Sequence, residues 1–431
     1  MPVGSGHVLP SGSESTDTLE RISPAYIRDA VELLQDQYVE EVSAEDLLRG
    51  AQTGLLAYLH DRGVQDAAAE AYDAHQPDGV QNFVSLLSEV FNRHADRLEE
   101  DHLVYGALRG LMGAVKDPYS VAMDPKEYSQ LTEQMSGGNI GGVGVYIERD
   151  KRNHDQLTVV EDVEGSPAVQ QGIFPGDLIL KINNVPTDGM DLDVASDKIR
   201  GPVGTSLHME VAQPKGPPHE YRLVRQLIHV RSAVYHALPD HMGYIKLRFF
   251  GQETDEEFDQ ALTQAEREGC RGLILDLRNN GGGYIKAAID VCSKFLSKGT
   301  LVVSVVTRKQ NTEQDRAVGT HHVHVPLIVL VNGYSASASE ITAGALQDTG
   351  VAVLLGSKTF GKGSVQTIHD LPDGGALKFT IAHYLTPKGR NINKKGIEPD
   401  VLVPMPADRV GMDGQDTQLD AATDLLRKKL H

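Results

Sequence analysis

The sequence predicts an α/β core that follows a helical region and is interrupted by a small β-rich module. Three observations predict this. Residues 24–124 carry amphipathic stretches of helical period, residues 137–214 break into short apolar runs and turns, and the remainder alternates strand-like and helix-like segments. The expected divisions are a flexible tail over 1–23, helices over 24–136, the β-rich module over 137–214, the α/β core over 215–410 and a C-terminal helix over 411–431.

The helical region contains a weak internal repeat. EDLLRGAQTGLLAYL at 45–59 returns as DHLVYGALRGLMGAV at 101–115, with Gly50 over Gly106 and Gly54 over Gly110. Each copy follows an amphipathic stretch, which predicts two helical hairpins stacking their glycine faces. The β-rich module runs from GGNIGGVGVYI through the turn-rich GSPAVQQGIFPGD to the strand TSLHMEVAQ, and the linker PKGPPHE closes it. In the core, MGYIKLRFF reads as a strand. The next helix opens with Thr254 and Glu257 in capping-box spacing and carries Phe258, Ala261, Leu262 and Ala265 on one face. GLILDLR is a buried strand breaking into NNGGG, and VPLIVLVN, a serine-rich helix start and VAVLLG form a strand–helix–strand unit.

Composition narrows the function classes. The chain has 431 residues and a formal net charge of −19, which disfavours a sequence-independent grip on nucleic acid or an anionic membrane surface. No run approaches the ~20 apolar residues of a membrane span. The two cysteines, Cys270 and Cys292, form no metal-spaced or redox motif. The N-terminus has neither a basic start nor an apolar core, so it does not read as a signal peptide.

Chemistry concentrates in three stretches. In VNGYSASASEITAGALQD, three serines separated by single alanines stand where a strand hands over to a helix, with backbone N–H groups directed outward. That is a site for a nucleophile, or a plain serine cap on a small-residue helix. NNGGG can aim N–H groups at a ligand, or simply turn the chain. One N–H from each of these two strand ends would form an oxyanion hole. GSKTFGKGSVQ supplies Lys362 between glycines as a base and Gln366 as an uncharged orienting partner. A lysine base must be neutral, so its reference pKa of ~10.4 has to fall by about 2–3, which burial achieves and an acidic neighbour would oppose. The same stretch nearly matches a nucleotide loop through Gly356, Gly361 and Lys362. Gly363 stands where the Mg²⁺-holding hydroxyl belongs, which argues against an NTPase. His322 and His324 in THHVHV have metal-like spacing but no evident third ligand, so no metal is expected.

In this order the motifs DPYSVAMDPKEY, GGVGVYI, GSPAVQQGIFPGDLILKIN, DLRNNGGG, SASASEITAGALQD, TFGKGSVQ and NKKGIEPD resemble the carboxy-terminal processing peptidases. These are serine endopeptidases with an embedded PDZ domain, and the likeness covers nearly the whole chain. It implies an α/β protease core of Clp/crotonase-like type, with an inserted β-rich PDZ domain and an N-terminal helical domain. It makes Ser337 the nucleophile, Lys362 the general base and Gln366 its orienting partner, with Gly283 and Ala338 as the oxyanion hole.

The resemblance further implies that Gly142, Val143, Gly144 and Val145 bind a peptide C-terminus as a carboxylate loop. Arg200, in DKIRGPVG, is a candidate relay between the PDZ domain and the core. The expected partners are protein or peptide substrates with free C-termini, and a second copy of the chain through the N-terminal helices. No cofactor, metal, nucleic acid or membrane span is expected. The family's location is extracytoplasmic, in periplasm, lumen or the secreted fraction, whereas the residues themselves leave a cytoplasmic one open. The alternative function is a catalytically silent PDZ scaffold that binds protein C-termini.

Overall fold

A computed structural model describes residues 22–135, 139–150, 155–163, 165–213, 216–319, 323–405 and 416–430. Most of the expected tail and His322 lie outside the described residues. Two compact units are present, Met1–Ser129 with Gln366–Ile381, and Gln130–Val365 with Ala382–His431. No helix among the described residues is long and apolar enough to cross a membrane.

The first unit is built on the helices Tyr26–Gln37, Ala44–Asp61, Gly79–Arg93 and Glu100–Ala114. The repeat's glycines meet between the second and fourth of these. A Cβ on Gly54 would lie 2.1 Å from the Gly106 carbonyl, and one on Gly110 would lie 2.2 Å from that of Gly50. Any side chain there would force the backbones apart and forfeit the dispersion contacts around the crossing. Leu47, Leu55, Leu59, Phe83, Leu103 and Leu111 fill the core with Leu377 and Phe379. Those last two sit on the strand Ala376–Leu385, which pairs antiparallel with Val121–Met123.

The second unit holds a six-stranded sheet in the order Ala233–Leu238, Met242–Leu247, Gly272–Asp276, Leu327–Val331, Ala352–Gly356 and Val401–Leu402. The first pair is antiparallel and the other pairs are parallel. Helices cover both faces, so the central strands read as unbroken apolar runs. Leu273, Leu275, Val329 and Val331 pack with Phe258, Ala288 and Ile341 of the helices Thr254–Arg267, Ile285–Ser293 and Ala338–Asp348. The alternate residues Ile274, Ile328 and Leu330 pack on Ala422 and Leu426 of the C-terminal helix Thr417–Leu430.

A five-stranded antiparallel path, Val145–Asp150, Gln156–Asp162, Leu178–Ile182, Ser206–Ala212 and Pro218–Val224, forms the β-rich module. Its core includes Val143, Leu157, Ile179, Ala195, Leu207 and Leu223. The strand Pro218–Val224 begins inside the stretch read above as a linker. It folds back on Ser206–Ala212, with Met209 opposite Tyr221, because Leu223 supplies an inward apolar residue.

The capping box expected at Thr254 and Glu257 does not form. Thr254 Oγ1 accepts the Gly251 N–H at 2.8 Å, and Glu257 Oε2 accepts the N–H and hydroxyl of Ser232. Tertiary partners outbid the local cap.

Candidate active site

Three loops leave the carboxyl ends of three neighbouring parallel strands, the place where open α/β sheets bind ligands. Gly272–Asp276 leads to NNGGG, Leu327–Val331 leads to the serine run, and Ala352–Gly356 leads to TFGKG.

The serine run turns abruptly. Ser337 has φ 55° and ψ −116° immediately before the helix Ala338–Asp348. A serine in that region costs on the order of 1–3 kcal/mol, and such a strand-to-helix elbow lifts a nucleophile's Oγ clear of the sheet. The flanking serines are committed elsewhere. Ser335 Oγ donates to the Leu277 carbonyl at 2.8 Å, and Ser339 Oγ donates to that of Asn280 at 2.8 Å. Both are buried, whereas Ser337 is only half-buried. The run is therefore two rivets around one accessible hydroxyl.

The glycine loop closes against this elbow. A Cβ on Gly282 would lie 2.8 Å from Ser337 Cβ and 2.9 Å from Ala338 N. Gly283, at φ 144°, is bracketed by Phe250, whose N–H donates to Gly282 O at 2.9 Å and whose carbonyl accepts Tyr284 N–H at 2.8 Å. A Cβ on Gly283 would meet that carbonyl at 2.1 Å, so only glycine fits. Among the described residues the N–H groups of Gly283 and Ala338 have no hydrogen-bond acceptor.

Sequence reasoning missed the groups that hold the Ser337 and Lys362 loops together. Glu340 is fully buried. Its Oε2 accepts the backbone N–H of Ser337 at 3.1 Å and of Lys362 at 2.8 Å. Its Oε1 accepts the Thr359 hydroxyl at 2.5 Å and the Gly361 N–H at 2.8 Å. Burial raises the Glu340 carboxyl above its ordinary value, while these four donors pull the other way. An acidic residue thus does neighbour Lys362, with four donors gathered on its two oxygens. Tyr384, also buried, has its hydroxyl within donating reach of the carbonyls of both Ser337, at 3.1 Å, and Lys362. Ser337-x-x-Glu340 has capping-box spacing, and that signal could have identified the glutamate.

Beneath the glycine loop, buried Arg278 pairs with Asp276 at 2.7 Å and with Asp416 at 2.7 Å, and Lys246 reaches Asp276 at 3.3 Å. Burial pushes the Asp276 carboxyl up, but Lys246 and Arg278 more than offset this and hold it at about 2.

Gln366 lies four residues beyond Lys362 on the strand Ser364–Asp370 and belongs to the first unit. Its amide donates to Thr380 Oγ1 at 3.3 Å, and Thr380 donates to Asp117 at 2.6 Å. His229, Glu253 and Glu257 gather elsewhere, where Glu257 Oε1 is hydrogen-bonded to His229 at 2.7 Å.

In the β-rich module an apolar groove of about 490 Å³ is lined by Gly142–Val145, Ile199, Arg200 and Phe249. The Val143 and Gly144 N–H groups have no acceptor among the described residues. Arg200 is exposed at the C-terminal end of the helix Leu192–Ile199 that forms one wall.

Comparison with known proteins agrees with this architecture. The Peptidase family S41 profile matches residues 241–403, and a PDZ domain profile matches 158–213. A carboxyl-terminal-processing protease of Synechocystis is 38% identical over 349 residues, covering 79% of this chain and 80% of the relative. The chloroplastic carboxyl-terminal-processing peptidase 3 of Arabidopsis thaliana is 39% identical over 311 residues, covering 69% of this chain and 60% of the relative. The solved photosystem II D1 C-terminal processing protease superposes with a TM-score of 0.52 at 26% identity, covering 90% of this chain and 95% of that one. A putative S41 protease from Bacteroides fragilis shares the fold, with a TM-score of 0.56 at 14% identity over 93% of this chain and 97% of that one. The chain belongs to the carboxyl-terminal-processing proteases, serine peptidases of family S41 that carry a PDZ domain.

Proposed function

We propose that the chain cleaves protein substrates by a Ser–Lys acyl-enzyme mechanism and selects them by their C-terminal tails. The observation that carries the chemistry is the strained turn at Ser337, the one half-buried serine of its run, tied through Glu340 to the backbone of Lys362. Ser337 Oγ attacks the scissile carbonyl while Lys362 Nζ takes its proton. The N–H groups of Gly283 and Ala338 receive the oxyanion. Lys362 returns the proton to the leaving amine, and water then hydrolyses the acyl-enzyme. Gln366 is assigned to orient the amine, following the family motif.

Tail selection rests on the groove. A peptide C-terminus places its carboxylate on the N–H groups of Gly142–Val145, adds along the strand Val145–Asp150 and sets its last side chain among the apolar lining. Arg200 is the candidate relay on the PDZ side. The proposed site of action is an extracytoplasmic compartment, following the family. The test compares matched substrates ending in a free acid or an amide. The amide should show a lower kcat/KM, and equal rates would remove C-terminal recognition.

A further inference from the structure

We infer that Asp117, acting through Thr380, fixes which end of the Gln366 amide serves the Lys362 amine, with Thr380 as the positioning residue. This rests on reading Gln366 as the partner of that amine.

The DPYS stretch at 117–120 anchors a polar network inside the first unit, to which Gln366 and Thr380 also belong. Asp117 Oδ2 accepts two hydroxyls, that of Thr380 at 2.6 Å and that of Ser120 at 2.6 Å. Its Oδ1 accepts the Tyr119 N–H at 3.1 Å. Ser120 Oγ in turn accepts the Thr380 N–H at 3.4 Å. Thr380 and Ser120 are both buried. Gln366, on the strand paired with that of Thr380, sets its amide nitrogen 3.3 Å from Thr380 Oγ1.

The direction of each bond follows from counting protons. A carboxylate has none to give, and a hydroxyl has one. A short contact to a charged oxygen is the stronger of the two that Thr380 makes, so Asp117 takes the Thr380 proton. Thr380 Oγ1 then offers only lone pairs to Gln366, and only the NH₂ end of the amide can meet them. The amide carbonyl is thereby turned away from Thr380, as the acceptor that a lysine amine needs.

That choice matters to a lysine base. A neutral amine carries two N–H groups and one lone pair. Donating an N–H to the Gln366 carbonyl stops rotation about the last bond of the side chain and leaves the lone pair for the Ser337 proton. A reversed amide would instead donate to the lone pair and occupy the electrons that the base must use.

The experiment uses the full chain and an internally quenched peptide substrate, with circular dichroism on the same samples. Thr380→Val keeps the shape of the buried side chain and removes its hydroxyl. It should lower kcat about tenfold while KM changes less than about twofold. Thr380→Ser restores the hydroxyl and should hold kcat within about twofold of wild type. In a Gln366→Ala background, Thr380→Val should lower kcat by less than about twofold further. A full loss in that background, or a Thr380→Ser as slow as Thr380→Val, would overturn the inference. A normal kcat in folded Thr380→Val beside a slow Gln366→Ala would overturn it and leave Gln366 as the partner of the amine, whereas a normal Gln366→Ala would remove both. If Thr380→Val does not fold, neutron diffraction from deuterium-exchanged wild-type crystals decides. The Thr380 deuteron should point to Asp117, and one pointing to Gln366 would overturn the inference.

Discussion

Glu340 Oε2 accepts the backbone N–H of Lys362 at 2.8 Å and that of Ser337 at 3.1 Å, so one carboxylate oxygen sets the spacing between two loops from neighbouring strands. Glutamine has the same shape but only one acceptor oxygen. Whichever way its amide turns, two of the four donors at this site face an NH₂ group. Each buried donor left without a partner costs about 1–3 kcal/mol. Glu340→Gln should therefore lower kcat by about 10- to 100-fold with KM little changed, because alignment is lost rather than substrate contact. Steady-state kinetics beside circular dichroism checks this, and a near-normal kcat would show the tether to be dispensable.

Tyr384 ties the same two loops from the carbonyl side. Tyr384→Phe keeps the buried ring and removes only the hydroxyl. A loss of about 1 kcal/mol, or roughly fivefold in kcat, is expected from one hydrogen bond of this kind. The double variant with Glu340→Gln should depart from additivity, since both act on one spacing.

Ser337→Ala and Lys362→Ala should each abolish peptide cleavage in a folded protein. Gln366→Ala should reduce it less, since its assigned part is only to orient the amine. Peptide turnover and circular dichroism are measured on the same samples, and substantial turnover in either folded dyad variant would remove that residue from the mechanism.

The buried Asp276–Arg278 pair gives a pH dependence with a definite sign. The Asp276 carboxyl is held at about 2 in the fold, below the reference value of ~3.9. A depressed carboxyl contributes stability that is present above its unfolded pKa and is lost as pH falls through its folded one. Asp276→Asn should be less stable than wild type at neutral pH. The gap should narrow by roughly 2–3 kcal/mol between about pH 5 and pH 2. Urea melts across that range check it, and a pH-independent gap would show that the charge on Asp276 does not stabilise the fold.

Much of this site is legible in the sequence because its chemistry sits in three short motifs at strand ends. Unbroken apolar runs announce the central parallel strands, and the glycines in NNGGG announce a close backbone approach. The reason only Ser337 of three serines remains accessible is not local. Ser335 and Ser339 bond carbonyls 58 and 59 residues away, a fact set by strand order.

Arg278 illustrates the same limit. GLILDLR reads as a buried strand but does not show what neutralises its arginine, which is 1% exposed and is met by Asp416 from the start of the C-terminal helix. Local patterns mislead as well as inform. Thr254-x-x-Glu257 and Ser337-x-x-Glu340 share one spacing, but only the second glutamate returns to its helix N-terminus.

Labelling by a fluorophosphonate, followed by peptide mapping, tests the central assignment most directly. Such a probe reacts with a serine hydroxyl activated by a nearby base and stabilised by an oxyanion hole. A single adduct is expected on Ser337, strongly slowed in Lys362→Ala and absent in Ser337→Ala. An adduct on Ser335 or Ser339, or labelling of Ser337 at an unchanged rate in folded Lys362→Ala, would contradict a Ser337–Lys362 dyad.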